Sequence, residues 1–190
     1  MDTPVYLEIL AILVLVLANG FFALSEFSVI ASRRSRLQQK IDEGKRGAAL
    51  AEELHSSPEK FLATIQVGIT LVGTLAGVFG GATLVHELRG VFAATDIGFV
   101  ARAANGLAMA VIAVAITVTT VVVGELVPKY IALSHPERFA RYVAWPIVVF
   151  IRITGIFSNL LSGTAGLIVR LVGVHRESER PLISEEEINQ

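Results

Sequence analysis

Three long apolar segments constrain this chain more than anything else in it. Residues 5–32 read VYLEILAILVLVLANGFFALSEFSVIAS, residues 61–85 read FLATIQVGITLVGTLAGVFGGATLV, and residues 103–124 read AANGLAMAVIAVAITVTTVVVG. About 20 mostly apolar residues are enough to cross a bilayer core as a helix. Lipid offers no partner for backbone N–H or C=O groups, so each segment must satisfy its own, as a helix does. A fourth stretch, 142–173, is weaker. Pro146 and Arg152 interrupt it, and Ser158, Asn159, Ser162, Gly163 and Gly166 dilute it. An arginine at mid-span is costly. We therefore read about 137–173 as juxtamembrane helices at the interface, with a true fourth span as the competing reading. The expected fold class is an all-α membrane protein with three spanning helices and short cytoplasmic helices.

The charges bear this out. Only 17% of residues are charged, against about a quarter in soluble domains. The net charge of −1 leaves no basic field for nucleic acid. With no cysteine there is neither a disulfide framework nor a thiolate metal site. His55, His86, His135 and His175 show no ligand spacing. Asp2 and Glu8 stand where a signal peptide would be cationic, so the first segment reads as a retained span. Arg33, Arg34, Arg36, Lys40, Lys45, Arg46 and Lys60 crowd the first loop, whereas the second, 86–102, holds only Arg89 and Arg102. Basic loops stay cytoplasmic. The expectation is an inner-membrane protein with its N-terminus outside and its C-terminus inside.

The first loop reads as two short helices broken at Gly44 or Gly47, with Ser57-Pro58 opening the next segment. At the other end, Ser184 and Glu187 form a possible capping box. Residues 176–190 read as a linker toward a further domain, after a transmembrane domain of residues 1–175.

Depth bookkeeping gives a candidate site. At about 1.5 Å per residue, Ser25 lies roughly 12 Å above the inner boundary marked by Arg33. Counting from Lys60, Thr64, Gln66 and Thr70 lie at roughly 6, 9 and 15 Å. Glu125 lies roughly 6 Å from Lys129. Ser25, Ser28 and Ser32 share one helix face, as do Gln66, Thr70, Gly73 and Gly77, and Thr117, Thr120 and Gly124. Three polar faces at one depth are expected to meet each other or a watery cavity. The bland alternative is that each hydroxyl bonds its own preceding turn, and that Gly73, Gly77 and Gly81 merely let helices approach. Glu125 differs, because an ionisable residue at this depth is a functional candidate by default.

Hydroxyls, an amide, carbonyls and one carboxylate are hard ligands that suit Mg²⁺, Ca²⁺ or Na⁺. Pro128 has no N–H and clashes with the carbonyl at i−4, that of Gly124. The expectation is a broken helix that frees the Gly124 carbonyl beside the Glu125 carboxylate, with Lys129 anchoring the inner end.

The segments NGFFALSEFSVIASRRSRL, FLATIQVGITLVGTLAGVFGG and GELVPKYIALSHPERFA closely resemble the transmembrane domain of the CorC/CNNM family, over residues 5 to about 175. The resemblance implies a homodimeric Mg²⁺ exporter, with Na⁺ as the proposed coupling ion. Nucleotide would bind only in a following pair of CBS domains, outside this chain. The implied ion site uses Ser25, polar residues of the second segment, and Gly124 with Glu125. Ile69 stands where many members carry asparagine, so Gln66 or Thr70 is expected to supply that oxygen.

Two functions follow. One is a secondary transporter, not an enzyme, moving Mg²⁺ outward. The other is a membrane anchor and dimerisation platform that presents cytoplasmic sensor domains to another ion transporter.

Overall fold

The computed structural model describes residues 5–81 and 83–171, with side-chain surroundings for 5–79 and 84–155. It divides into two units, Met1–Thr154 and Gly155–Gln190. Within the second, residues 155–171 are helical. The expected capping box and the linker 176–190 lie outside the described residues.

Every described element is helical. The order is α1 (Val5–Ala31), α2 (Arg34–Asp42), α3 (Ala48–Ser56), α4 (Pro58–Gly81), α5 (Thr83–Ala93), α6 (Gly98–Val121), a π-helical turn (Val122–Leu126), α7 (Val127–Ser134) and α8 (Pro136–Leu171). Three stretches among the described residues are long and apolar enough to cross a membrane: Val5–Ala31, Pro58–Ala93 and Gly98–Ser134. These are the three segments anticipated above, the second and third longer than expected. Much of the anticipated 86–102 loop is helix, with His86, Glu87 and Arg89 carried inside α5. The stretch expected to form juxtamembrane helices is covered, up to Leu171, by α8, with Pro146 inside it. α8 is not among the three candidate spans.

The loop between the first two spans folds as its glycines require. α2 and α3 are joined through Gly44 and Gly47, both at positive φ, where side chains other than glycine are strained. A Cβ on Gly47 would also overlap the Arg141 carbonyl of α8. This contact pins the α2–α3 hairpin to α8.

The described core gathers there. Phe22 and Val29 of α1, Leu37 of α2, Ala51 and Leu54 of α3, Phe61 and Ile65 of α4, and Ala140, Val143, Ala144 and Ile147 of α8 form one buried cluster. Gly68 of α4 lies against the Phe22 ring, which stacks on Phe150 at 4.9 Å between centroids. His55 Nδ1 meets the Val29 carbonyl at 3.0 Å, so α3 adds a partner to a carbonyl at the end of α1 that the Ser32 N–H also reaches at 3.3 Å. α6 contrasts with this. Ala104 and Ala108 are its buried residues, and Met109, Val111, Val114 and Val118 are exposed.

Candidate functional site

The site is built where α1 crosses the π-turn. Pro128 has no N–H to return to the Gly124 carbonyl, so an ordinary α-turn loses a bond there. Instead of breaking, the helix widens. The N–H of Val127 bonds back to the Val122 carbonyl, five residues earlier, and α7 starts with Pro128 in its first turn. The expectation of a broken helix is thus corrected to a continuous helix with one wide turn. π-turns of this kind recur at functional sites.

The Gly124 carbonyl accepts a hydrogen bond from Asn19 Nδ2 of α1 at 2.9 Å. Glycine is needed on both sides of this crossing. A Cβ on Gly20 would lie 3.0 Å from the Pro128 ring, and one on Gly124 would lie 3.1 Å from the Val16 carbonyl. Asn19 is 4% exposed, and its Oδ1 has no hydrogen-bond partner among the described residues. A buried amide oxygen left unpaired costs about 1–3 kcal/mol. It is a ready ligand for a hard cation.

At the next residue, Glu125 Oε1 accepts from Lys129 Nζ at 2.6 Å. The ammonium also lies 4.6 Å from the centre of the Phe27 ring. Glu26 is within electrostatic reach of both Lys129 and Glu125. Its charged neighbours are thus on the third apolar helix. Two carboxylates and one ammonium leave this cluster with a formal excess of one negative charge. The half-exposed Glu125 carboxylate is already occupied by its own lysine, so an incoming cation has to compete with that ammonium.

The other anticipated residues divide. Ser25, Ser28 and Ser32 are buried along α1, as their spacing predicted. Each hydroxyl donates to an earlier carbonyl of α1: Ser25 to Phe21 at 2.6 Å, Ser28 to Ser25 at 3.1 Å and Ser32 to Ser28 at 2.6 Å. Thr64 is buried and donates to the Lys60 carbonyl at 2.9 Å. These oxygens keep lone pairs for a further partner. Gln66 and Thr70 are exposed. Helical spacing puts them, with Gly73 and Gly77, opposite Phe61, Ile65, Gly68 and Ala76, the side of α4 that packs inward. Ile69 is partly buried and packs on the core. Thr117 is also exposed and donates to the Ala113 carbonyl at 2.7 Å. The expected meeting of three polar faces is therefore not found within one protomer. Back-bonded hydroxyls need no partner helix, and α4 commits its bulkier face to α1. Around Gly73 and Gly77 nothing packs within 4 Å of where a Cβ would stand. Gly81 ends α4 where side-chain surroundings are not described. Among the described residues no three His, Cys, Asp or Glu side chains come together as a metal cluster. Any cation here would rest on amide, carbonyl and hydroxyl oxygens with one or two carboxylates.

Asn19 is the residue that spacing arguments missed. Its signal was an amide inside VLVLANGFF, where lipid or a packed interior penalises an unpaired polar group.

Comparison with known proteins agrees with this architecture. Residues 9–190 match the family model described as the cyclin M transmembrane N-terminal domain, CNNM. The UPF0053 protein sll0260 of Synechocystis is 41% identical over 97% of this chain and 41% of its own length. The UPF0053 protein YugS of Bacillus subtilis is 32% identical over 96% of this chain and 42% of its own length. The chain thus spans about two-fifths of the length of these relatives. With three apolar helices and a family match over nearly its whole length, this chain belongs to the CNNM family of transmembrane domains.

Proposed function

We propose that this domain carries Mg²⁺ outward across the cytoplasmic membrane, with Na⁺ as the coupling ion, and takes the cation at the α1–π-turn crossing. The observation that carries the reading is the orphaned Asn19 Oδ1, whose amide holds the carbonyl of Gly124, the residue before Glu125. All are hard oxygens, and Mg²⁺ takes such ligands in near-octahedral geometry while giving up its waters reluctantly. The site need only replace some of those waters. Ser25, Thr64 and solvent supply further oxygens.

Lys129 acts as a tethered counter-ion in this mechanism. With no cation bound it neutralises Glu125 and makes a carboxylate at this depth tolerable. A divalent cation displaces the ammonium, and release lets it return. Na⁺ competes for the same carboxylate with half the charge. The basic first loop supports an orientation with the N-terminus outside.

A second reading has its own observation. Gly73 and Gly77 present an open small-residue face, joined by the exposed Gln66 and Thr70. Such faces let helices approach closely. A homodimer formed there would cover these polar groups and give Gln66 and Thr70 partners. In this reading the domain is a dimerisation anchor for cytoplasmic sensor domains.

Reconstitution separates the two. A transporter moves Mg²⁺ from loaded liposomes with no other protein present, whereas an anchor does not. Glu125→Ala should abolish that flux while span packing and oligomeric state survive. Wild-type flux in Glu125→Ala would remove the site assignment.

A further inference from the structure

Away from the π-turn lies a cleft of about 250 Å³ at the α7–α8 junction, against α2. Arg36, Lys40, His135, Arg138 and Arg141 line it, with Ser134 and Glu137. The basic groups outnumber the single carboxylate. Glu137 Oε1 reaches Arg36 Nη1 at only 3.7 Å, and Lys40 bonds Glu43 Oε2 at 2.8 Å. Arg138 and Arg141 have no acidic partner among the described residues. Arg141 Nε is buried with no hydrogen-bond acceptor. An anion in the cleft would meet the guanidinium groups of the arginines that line it. The N-terminus of α8, a long helix opening at Pro136, adds its own positive end.

The cleft is held rigid. Leu37 of α2 and Ala140 and Ala144 of α8 are fully buried in the core beneath it. The Arg141 backbone is pinned by Gly47. The arginines are thus presented by two helices fixed relative to each other, as bidentate recognition of an oxyanion requires.

We propose that this cleft binds a phosphate group, and that an anionic phospholipid headgroup is the source its position favours. The third apolar helix ends at Ser134, and only His135 separates it from the start of α8. Tyr130, Tyr142 and Trp145 are exposed around the same level. Tyrosine and tryptophan collect at the lipid–water boundary, and basic pockets beside spanning helices take acidic headgroups. The site shares no residue with the cation site, so it stands or falls apart from the transport reading.

The test is native mass spectrometry of the full chain in detergent, titrated with phosphatidylglycerol, phosphatidylcholine or inorganic phosphate. Expected is retention of phosphatidylglycerol over phosphatidylcholine. Arg138→Gln with Arg141→Gln should weaken it roughly tenfold or more. Glu137→Gln should move binding the opposite way, severalfold tighter, which guards against a variant that loses binding by misfolding. Binding of inorganic phosphate that follows the same variants, without a phosphatidylglycerol preference, keeps the phosphate site and assigns it a soluble ester. Equal retention of both lipids with no phosphate binding overturns the proposal, as does binding that none of these variants alters.

Discussion

The hairpin side of the molecule and α6 are built on opposite principles. Around α2, α3 and the first half of α8, side chains close on one another as in a soluble core, with Leu37, Ala48, Ala51, Ala140, Ala144 and Ile147 all at 0% exposure. In α6, only the two small residues Ala104 and Ala108 are buried. The two regions already differ in sequence, since α2 alternates charged and polar residues around Leu37 whereas α6 carries Arg102 as its one charge. Punctuation separates them further. The hairpin carries glycines at positive φ, charged outer faces and close backbone contacts. α6 is apolar on nearly every side and leaves Met109, Val111, Val114 and Val118 exposed. The π-turn joins the two regimes, since α6 runs into it and α1 clamps it.

That contrast can be attacked by substitution, beginning with the largest expected effect. Phe61→Ala empties a fully buried position of the hairpin-side core and should cost about 3–5 kcal/mol. In detergent this would appear as a large fall in melting temperature. Val114→Ala on α6 should change the melting temperature by the equivalent of about 0.5 kcal/mol or less. Comparable losses from the two variants would erase the distinction.

Gly47→Ala should come next. It combines a strained φ with overlap of the Arg141 carbonyl, and about 2–3 kcal/mol is expected. Gly44→Ala shares the positive φ, but nothing lies within 4 Å of its Cβ, so it should cost about 1 kcal/mol. Equal losses at the two glycines would show that the contact with α8 carries no weight.

How much of this was legible beforehand follows the same division. The hairpin could be read from Gly44, Gly47 and Ser57-Pro58, because turn chemistry is local. The three spans could be read from length alone. Which way a spanning face points could not. The same-face relation of Gln66, Thr70, Gly73 and Gly77 was correct, but a helix apolar on most sides gives no moment to orient it. Pro128 signalled a disturbance at Gly124. The outcome is a widened turn in place of a break, with the Gly124 carbonyl taken by Asn19, which is distant in sequence and reaches it only in the folded chain.

The smallest effect concerns the exposed rim of the hairpin. A hydrogen bond from Lys40, reinforced by its charge and that of Lys45, holds the Glu43 carboxyl below the usual carboxylate range. Because the folded value is depressed, the associated stabilisation is present above the unfolded value and is lost as pH falls through the folded one. An NMR titration should place the Glu43 midpoint below that of a free glutamate, and Lys40→Gln should raise it. An unchanged midpoint in Lys40→Gln would contradict the pairing.

The central claim is that the α1–π-turn crossing holds the cation. Its most direct test is Mg²⁺ efflux from proteoliposomes containing wild type, Asn19→Leu or Glu125→Gln. Both variants should fall to the leak rate of empty vesicles, with wild-type elution in gel filtration. Wild-type efflux in Asn19→Leu would contradict the claim.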